Sequence, residues 1–435
     1  MNDLTADLPR PSPDEPTAAQ ERGMRAFWFD GFFAWFSEWI VVQYLAVYAL
    51  AFGASDSQIG YLAALVSLSG AVALLPGARL AERWGRRKLL VLLTGGGMAR
   101  MMLLGLAVLP FFSQGKEVVY AIMGLGAARI FFVNLGIPAW TSLSADIVPL
   151  SVRGRFFSSR NFGMGVGALI GAPLAGLMIN RVGFPEGWQS AWALALVAGL
   201  LATAFYSRIP DQDIERTIRQ REGDGQTRGG LLSDKNFVTF CAVTFIWNLA
   251  LYVAAPFFNV HLVKNMGGNA AWVGGLSAIN SVSALAGQPI AGRLLDERGS
   301  RWLMAVTGLA IPFLPLAWVA ATAPWHVIFI NGVGGALWAG FNLGAFSLLL
   351  YISPSGKRAF YSAVYQSMVF SSAFAGPLLG GLIGELWNLP LVFIVSSGGR
   401  FLAALLFLAL VKERPGDQRP FNGREVSAVA RAANP

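Results

Sequence analysis

The sequence predicts an all-α integral membrane protein that crosses the bilayer twelve times, in two parallel repeats of six helices. Of its 435 residues, 55% are hydrophobic and 13% are charged. Apolar runs of about 20 residues, enough to cross about 30 Å of hydrocarbon as helix, recur along almost the whole chain. Backbone amides inside lipid need internal partners, so such long runs indicate helices rather than barrel strands. The second half also repeats the charge pattern of the first.

Twelve apolar runs are bounded by charged or turn-forming residues and are predicted to span the membrane. They are residues 27–53, 58–78, 89–111, 118–147, 156–180, 188–207, 236–263, 271–291, 302–321, 325–351, 359–386 and 388–411, numbered here as spans 1 to 12. The predicted domains are an N-terminal tail (1–26), a first half (27–207), a central loop (208–235), a second half (236–411) and a C-terminal tail (412–435).

The distribution of Lys and Arg predicts the orientation. The loops after spans 2, 4, 8 and 10 contain twelve of these residues, whereas the opposite loops contain only Lys116, Arg181 and Lys264. Loops rich in Lys and Arg tend to stay cytoplasmic. Both tails and the central loop are therefore predicted to be cytoplasmic, in a multi-pass protein of the inner (plasma) membrane.

The composition argues against several other classes of function. The net charge of +9 is spread over the loops rather than gathered in one patch, so topology explains it better than nucleic-acid binding does. The single cysteine, Cys241, and the two histidines, His261 and His326, exclude an intrachain disulfide and argue against a metal site. No cofactor is expected. A phosphate-binding loop of the form G-x-x-x-x-G-K-[ST] is absent from the sequence, so ATP hydrolysis is not expected.

Two charged segments interrupt the apolar pattern at equivalent places in the two halves. They are PGARLAERWGRRK (76–88) and AGRLLDERGSR (291–301), and their alignment at an offset of 214 residues pairs Glu82 with Asp296. The same offset pairs IGYLAAL (59–65) with VGGLSAI (273–279). Because six helices return the chain to its starting side, the repeats are predicted to be parallel.

The second segment resembles the loop signature of the major facilitator superfamily, G-x-L-x-D-R/K-x-G-R-R/K. The matching residues are Gly292, Leu294, Asp296, Gly299 and Arg301. The first copy is similar, with Ala78 in place of glycine, Glu82 in place of aspartate, and Arg83, Gly85, Arg86 and Arg87 in register. DIVPLSVRGR (146–155), with Arg153 and Arg155, is similar to the superfamily's loop between its fourth and fifth spans. The resemblance covers about residues 27 to 411 and implies a secondary transporter that works by alternating access.

The charged segments are predicted to act as a latch. A carboxylate at a helix end, near a neighbouring helix N-terminus and close to arginines, can form charge-assisted hydrogen bonds between helices. The resemblance implies that Asp296 and Glu82 accept such bonds on the cytoplasmic side and stabilise the outward-facing state. The alternative is that the arginines serve only to fix the topology.

Small residues and prolines recur in spans 5 and 11. Gly163, Gly167 and Gly171 follow one another every four residues, which allows a neighbouring backbone to approach closely. The segment GALIGAPLAG, with Gly167, Gly171 and Pro173, resembles the antiporter pattern G-x-x-x-G-P-x-x-G of the superfamily, although Ala172 interrupts it. Span 11 contains AGPLLGG, with Gly376 and Pro377. The pattern favours efflux over uptake, and close helix packing is the simpler alternative.

Charged residues deep in the membrane are costly and are functional candidates. Glu38 in span 1 and Arg129 in span 4 are at similar depth, could pair, and are candidates for proton coupling. A purely structural pair is the alternative. Asp30 is a weaker candidate, nearer the cytoplasmic end. Arg100 and Arg400 are interpreted as packing or interface charges, because spans 3 and 12 are peripheral in the superfamily.

Polar amides and aromatic residues complete the candidate substrate site. The candidates are Gln43, Asn134, Asn248, Asn280, Asn331, Asn342 and Gln366, with the aromatic residues Trp35, Trp39 and Trp247. Amides can bind substrate or a neighbouring helix, and aromatic rings can stack on a flat or cationic ligand.

The leading functional hypothesis is proton-coupled efflux of an amphipathic or aromatic solute by a monomer. A nutrient importer or uncoupled facilitator remains open. A lipid scramblase or a membrane-embedded enzyme is the alternative of another class, although His261 and His326 lie in different spans and offer no clustered catalytic set.

Overall fold

The computed structural model describes residues 18–112, 117–148, 152–210, 235–353 and 358–411. These residues form twelve helical segments, and three of them are made of consecutive pieces. The segments are α1 (Ala18–Ala51), α2 (Asp56–Trp84), α3 (Arg87–Val91, Leu92–Met98 and Ala99–Phe112), α4 (Glu117–Ile147), α5 (Arg153–Val182), α6 (Glu186–Ser207), α7 (Lys235–Ala254 and Phe257–Asn265), α8 (Ala270–Arg298), α9 (Ser300–Ala310 and Phe313–Ala320), α10 (His326–Ile352), α11 (Arg358–Leu386) and α12 (Leu389–Leu410). The all-α prediction is confirmed.

Eleven of these segments are long and apolar enough to cross a membrane, and α8 is the exception. This 29-residue helix includes Ser277, Asn280, Ser281 and Ser283. It packs along α5 and α10 nevertheless. Polar side chains inside a membrane face protein or a water-filled cavity rather than lipid. The low hydropathy of α8 is therefore consistent with a position inside the bundle.

Several helix ends and breaks follow from local chemistry. Ser55 and Gln58 form a capping box at the start of α2. Gly85 and Gly299 end α2 and α8 with φ of 64° and 82°, a region that favours glycine, which explains the glycine at the same place in both charged segments. Pro256 and Pro312 lie at the breaks of α7 and α9.

The N-terminal boundary of the first span differs from the prediction. Helix α1 begins at Ala18, so residues 18–26, predicted as part of the tail, form its first turns. Their charged and polar residues lowered the local hydropathy, whereas a helix can continue beyond the hydrocarbon. The rest of that tail, most of the central loop and the C-terminal tail lie outside the described residues.

The two halves, α1–α6 and α7–α12, have equivalent internal packing. In the first half, α2 packs on α4, and α1 packs on α5 and α6. In the second half, α8 packs on α10, and α7 packs on α11 and α12. Each pairing in one half thus has its counterpart six helices later. The halves meet mainly through α2 with α11 and α5 with α8.

Glycines allow the closest of these approaches. Gly167 and Gly171 of α5 lie against the backbone of α1, where an added Cβ would meet the carbonyl oxygens of Phe32 and Phe36. Gly376 of α11 lies in the same way against Tyr252 and Val253 of α7. The glycines that the sequence analysis singled out are therefore at helix contacts within each half. This placement agrees with the packing alternative for their spacing.

Candidate functional site

The two halves are joined at one end of the bundle, here called the closed end, where α1 and α7 end. Lys264 Nζ lies 3.0 and 3.1 Å from the two carboxylate oxygens of Asp56. The Glu385 carboxylate accepts a hydrogen bond of 3.1 Å from the Ser57 backbone N–H. Both contacts connect α2 with the second half.

Close backbone contacts reinforce the closed end. An added Cβ at Gly60 of α2 would meet the carbonyl oxygen of Pro377 and the backbone of Gly381 on α11. At the other seam, Gly274 of α8 lies against Pro173 of α5. Pro173 and Pro377 are therefore at the contacts between the halves.

At the opposite end, here called the open end, a cleft separates α2 from α11. It has a volume of about 590 Å³ and is lined by Leu68, Leu74, Gln366 and Phe370, among others. We call it the open-end cleft. The arginine-rich loops after α2 and α8 are on this side. The structure thus closes one end of the path between the halves and opens the other.

A second space, the central cavity, lies deeper between the halves and has a volume of about 280 Å³. Helix α1 contributes to its wall from the first half, and α7, α8, α9, α10 and α12 contribute from the second. The side chains that line it and carry polar atoms are Trp39, Gln43, Asn259, Ser277, Asn280, Trp318, Asn331, Trp338 and Arg400. The candidates Trp39, Gln43, Asn280 and Asn331 are brought together here.

A hydrogen-bond network crosses the central cavity between the halves. Trp39 Nε1 and Gln43 Nε2 both donate to Ser277 Oγ of α8, at 2.9 and 3.0 Å. Asn259 Nδ2 of α7 donates to Gln43 Oε1 at 3.0 Å. Sequence reasoning missed Ser277 and Asn259, because a serine or an amide in a membrane helix is common and gives no sign of its direction.

The remaining second-half candidates line another space, the second-half cavity, of about 350 Å³. Trp247, Asn248, Asn342 and Gln366 all border it. Trp247 is 4% exposed and stacks on Phe341 with 4.4 Å between the ring centroids. Trp338 and Leu251 line both this cavity and the central cavity, and Gln366 lines both it and the open-end cleft. The three spaces therefore share wall residues in sequence from the open end inward.

Glu38 of α1 and Arg129 of α4 form a bidentate ion pair. Both nitrogen–oxygen distances are 2.7 Å, and the side chains are 21% and 4% exposed. Paired parallel hydrogen bonds of this kind combine charge with fixed geometry. The pairing that the sequence predicts is present, and its role in proton coupling stays a prediction.

Asp30 has a partner that the sequence analysis did not identify. Arg160 Nη2 of α5 lies 3.3 Å from the Asp30 carboxylate, and Arg160 Nε donates to the Phe27 carbonyl at 3.1 Å. The guanidinium also covers the Phe27 ring, 4.3 Å from its centroid. Arg160 lies near the start of span 5, where an arginine is readily attributed to the preceding loop. The sequence therefore offered no indication that it pairs with Asp30.

Comparison with known proteins agrees with this architecture. A family model described as Major Facilitator Superfamily matches residues 27–349 and 276–433. The chain belongs to the major facilitator superfamily. It is 27% identical over 405 residues to the multidrug resistance protein MdtG of Citrobacter koseri, covering 89% of this chain and 94% of that protein.

Two further matches are limited, one by the length that it covers and the other by its sequence identity. The multi-drug resistance efflux pump PmrA of Streptococcus pneumoniae is 28% identical over 173 residues, which are 39% of this chain and 43% of the pump. The match therefore spans less than half of that protein. The crystal structure of the nucleoside transporter NupG superposes with a TM-score of 0.71 at 12% identity, covering 92% of this chain and all of that one. At that identity the likeness shows the fold alone.

Asp296 and Arg301 of the superfamily signature do not pair with each other in this conformation. Asp296 is exposed and makes no ion pair within the described part of the chain. Arg301, expected in the latch, instead donates through Nε to the Val411 carbonyl and through Nη2 to the Leu408 carbonyl, both at 2.9 Å. Arg301 therefore caps the C-terminus of α12 here. The side chains of Glu82 and Arg153 lie outside the described residues, while Arg83, Arg86 and Arg155 are exposed.

Two candidates are located away from the cavities. Trp35 is 37% exposed and stacks on Trp39, and Asn134 packs against Gly70 of α2. Neither residue borders one of the three spaces. Helix periodicity gives the spacing along a helix, but the rotation of the helix decides which side chain reaches the cavity.

The structure places Arg400, which the sequence analysis interprets as a packing or interface charge, in the interior of the second half. Its side chain is 1% exposed and borders the central cavity, and α12 packs directly on α7. Arg100 lies against Gly199 of α6, and its Nε is buried without a hydrogen-bond partner. It therefore packs inside the first half.

Proposed function

We propose that the protein is a secondary transporter that exports a small amphipathic or aromatic solute in exchange for protons, by alternating access in the inner membrane. The observation that carries this proposal is the Glu38–Arg129 ion pair, with both distances at 2.7 Å, inside a chain of the major facilitator superfamily. Trp39, the residue after Glu38, lines the central cavity. Helix α1 thus carries both a proton-binding group and part of the wall of a solute site.

The mechanism follows from the chemistry of the pair. The Glu38 carboxylate accepts both hydrogen bonds only while it is charged. Uptake of a proton removes that charge and leaves Arg129 without its partner, so the protonated state favours a different arrangement of α1 and α4. A solute that contacts Trp39 or Gln43 acts on the same helix. Proton binding and solute binding can therefore influence each other through α1.

The proposed conformation is inward-open. Lys264 and Asp56 join the halves at the closed end, whereas the open-end cleft separates α2 from α11 on the side of the arginine-rich loops. Loops rich in Arg stay cytoplasmic, so the open end is assigned to the cytoplasm, together with both termini. The halves would rock about the central cavity to expose it to the other side.

The direction of transport is proposed from the relatives and the cavity walls. MdtG and PmrA are named as multidrug resistance and efflux proteins. The central cavity has the aromatic side chains Trp39, Phe258, Trp318 and Trp338 on its wall, which suit a flat apolar body. A proton-driven exporter of such compounds accounts for both observations.

The test uses purified protein in liposomes with an imposed pH gradient. Three probes share one ring system: 2-naphthoate, 2-naphthamide and 2-naphthylmethylamine. We expect the wild type to move at least one of them in response to the gradient. Glu38→Gln should abolish gradient-driven movement and retain counterflow, which also reports that the variant is folded.

The matched control is Glu297→Gln, which removes an exposed carboxylate at the end of α8. It should leave gradient-driven transport unchanged. Full gradient-driven activity in Glu38→Gln would exclude Glu38 as the proton site and would favour an uncoupled facilitator. Movement of none of the three probes by the wild type would exclude the proposed class of solute.

A further inference from the structure

Arg400 is a buried arginine with no counter-charge among the described residues. Its side chain is 1% exposed, and its Nε and Nη2 atoms have no hydrogen-bond partner. Arg129 and Arg160, also buried, are paired with Glu38 and Asp30. An unpaired cation in the membrane interior is energetically costly and is therefore a candidate for a functional role.

The side chain of Arg400 lies on the wall of the central cavity. Two of the helices that pack on α12 are broken, α7 at Pro256 and α9 at Pro312. Two neighbouring residues of α12 fix its position there: Ser396 Oγ donates to the Ala250 carbonyl at 2.6 Å, and Ser397 Oγ donates to the Pro312 carbonyl at 2.7 Å. The hydroxyls hold α12 against both broken helices, so the position of Arg400 is set by rigid elements.

The surroundings of Arg400 offer polar and aromatic groups but no acid. The residues that line the central cavity include no Asp or Glu in the described part of the chain. Asn280 and Asn331 contribute amides to the wall, and Trp318 and Trp338 contribute aromatic rings. The cavity thus combines one unneutralised positive charge, neutral hydrogen-bonding groups and apolar ring faces.

We propose that the central cavity binds an aryl carboxylate, with the Arg400 guanidinium as the partner of the carboxylate and the tryptophan rings around the aryl group. A guanidinium can hold a carboxylate through two parallel hydrogen bonds, and it does so most strongly where water is excluded. The volume of about 280 Å³ suits a ligand of one or two rings. This inference rests on the proposed function and narrows its substrate class to amphipathic organic anions.

The proposed route to Arg400 runs from the open end. Gln366 lines both the open-end cleft and the second-half cavity, and Leu251 and Trp338 line both that cavity and the central cavity. A positive charge at the inner end of this route favours the entry of anions. In the inward-open state the anion would therefore arrive from the cytoplasm.

The test measures binding by calorimetry to the full-length protein in nanodiscs of phosphatidylcholine, at one pH and without a gradient. The probes are benzoate and 2-naphthoate, each compared with its neutral primary amide. We expect the wild type to bind 2-naphthoate at least about tenfold more tightly than 2-naphthamide, a difference of about 1.4 kcal/mol. Arg400→Gln should remove this difference, and Arg400→Lys should retain part of it.

Arg181→Gln is the matched control, since Arg181 is an exposed arginine at the closed end. It should leave the preference for the anion unchanged. A parallel series in nanodiscs that contain phosphatidylglycerol identifies the source of the anion: competition with 2-naphthoate would show that a lipid headgroup occupies the same anion site.

Equal affinity of the wild type for 2-naphthoate and 2-naphthamide, or unchanged 2-naphthoate binding in a folded Arg400→Gln variant, would overturn the inference. So would an ion pair between Arg400 and an acidic residue of this chain in an outward-open structure. None of these three results bears on proton coupling. Conversely, absence of gradient-driven transport by the wild type would exclude the proposed function. The binding of 2-naphthoate could still be measured by calorimetry.

Discussion

Lys264 of α7 contacts both carboxylate oxygens of Asp56 at the N-terminus of α2, and this ion pair joins the two halves at the closed end. Lys264 appeared in the sequence only as one of three basic residues in the sparsely charged loops. The pair is within reach of solvent, because the lysine side chain is 47% exposed. It is suited to break and re-form as the two halves move.

Asp56→Asn is expected to shift the protein toward the outward-facing state, in which the halves separate at the end that is closed here. Exposed pairs contribute about 0.2–1 kcal/mol, so the ratio of the two states should change by up to about fivefold. Spin labels on Phe184→Cys and Trp387→Cys, in a Cys241→Ser background, report the separation of the halves at that end. The swap Asp56→Lys with Lys264→Asp is the control and should restore the wild-type distances, whereas unchanged distances in Asp56→Asn would assign the pair no part in closure.

Gly60 is expected to tolerate no side chain in the present conformation. A Cβ there would meet the Pro377 carbonyl and the Gly381 backbone, so Gly60→Val should keep the closed end from closing and should reduce transport by at least about tenfold. Gly124→Val is the control, because an added Cβ at Gly124 has nothing within 4 Å. The measurement is probe transport in liposomes together with the Phe184–Trp387 label distance. Wild-type transport by a folded Gly60→Val variant would contradict this prediction.

Removal of one partner of the Glu38–Arg129 pair is expected to destabilise the protein more than removal of both charges. Arg129→Met leaves the Glu38 carboxylate unpaired, and breaking a buried pair costs about 3–5 kcal/mol. The double variant Glu38→Gln with Arg129→Met should recover most of that loss. Thermal unfolding in detergent gives the comparison, with Arg181→Met as the control. Equal melting temperatures for the single and double variants would show that the pair has little energetic weight.

Asp296→Asn is expected to lower the population of the outward-facing state. Asp296 is exposed and unpaired in the described structure. Its predicted contacts therefore belong to the outward-facing state, in which the cleft between α2 and α11 is closed. Labels on Leu75→Cys and Phe370→Cys, across the open-end cleft, should show a larger share of long distances in Asp296→Asn. Glu297→Asn is the neighbouring control, and identical distance distributions would leave Asp296 with a topological role only.

Much of the fold could be predicted because membrane insertion depends on local sequence. The hydropathy of each run, the glycines at 85 and 299 and the uneven distribution of arginine all act within a few residues. Glu38 and Arg129 could be matched because both are charged and lie at the same depth. The predictions failed where a residue depends on its neighbours in space, as for Arg160 and Asp30.

Helix α8 illustrates the limit in another way. Its polar residues make it the one described segment that lacks the hydropathy of a membrane span, and only its packing between α5 and α10 explains how it is accommodated. The role of Ser277 likewise could not be predicted, since nothing in the sequence distinguishes it from Ser281 or Ser283. The rotation of α8 brings Ser277 to Trp39 and Gln43.

The sequence by itself determined the number of helices, their order and the internal repeat, because burial of apolar runs in lipid is decided one segment at a time. The tertiary structure alone decided which charges meet, which end of the path is closed and that Arg400 reaches the central cavity. These features depend on the rotation, breaks and mutual packing of helices that are far apart in the chain. The physical reason is that a buried charged or polar side chain finds a partner only if a neighbouring helix places a complementary group beside it.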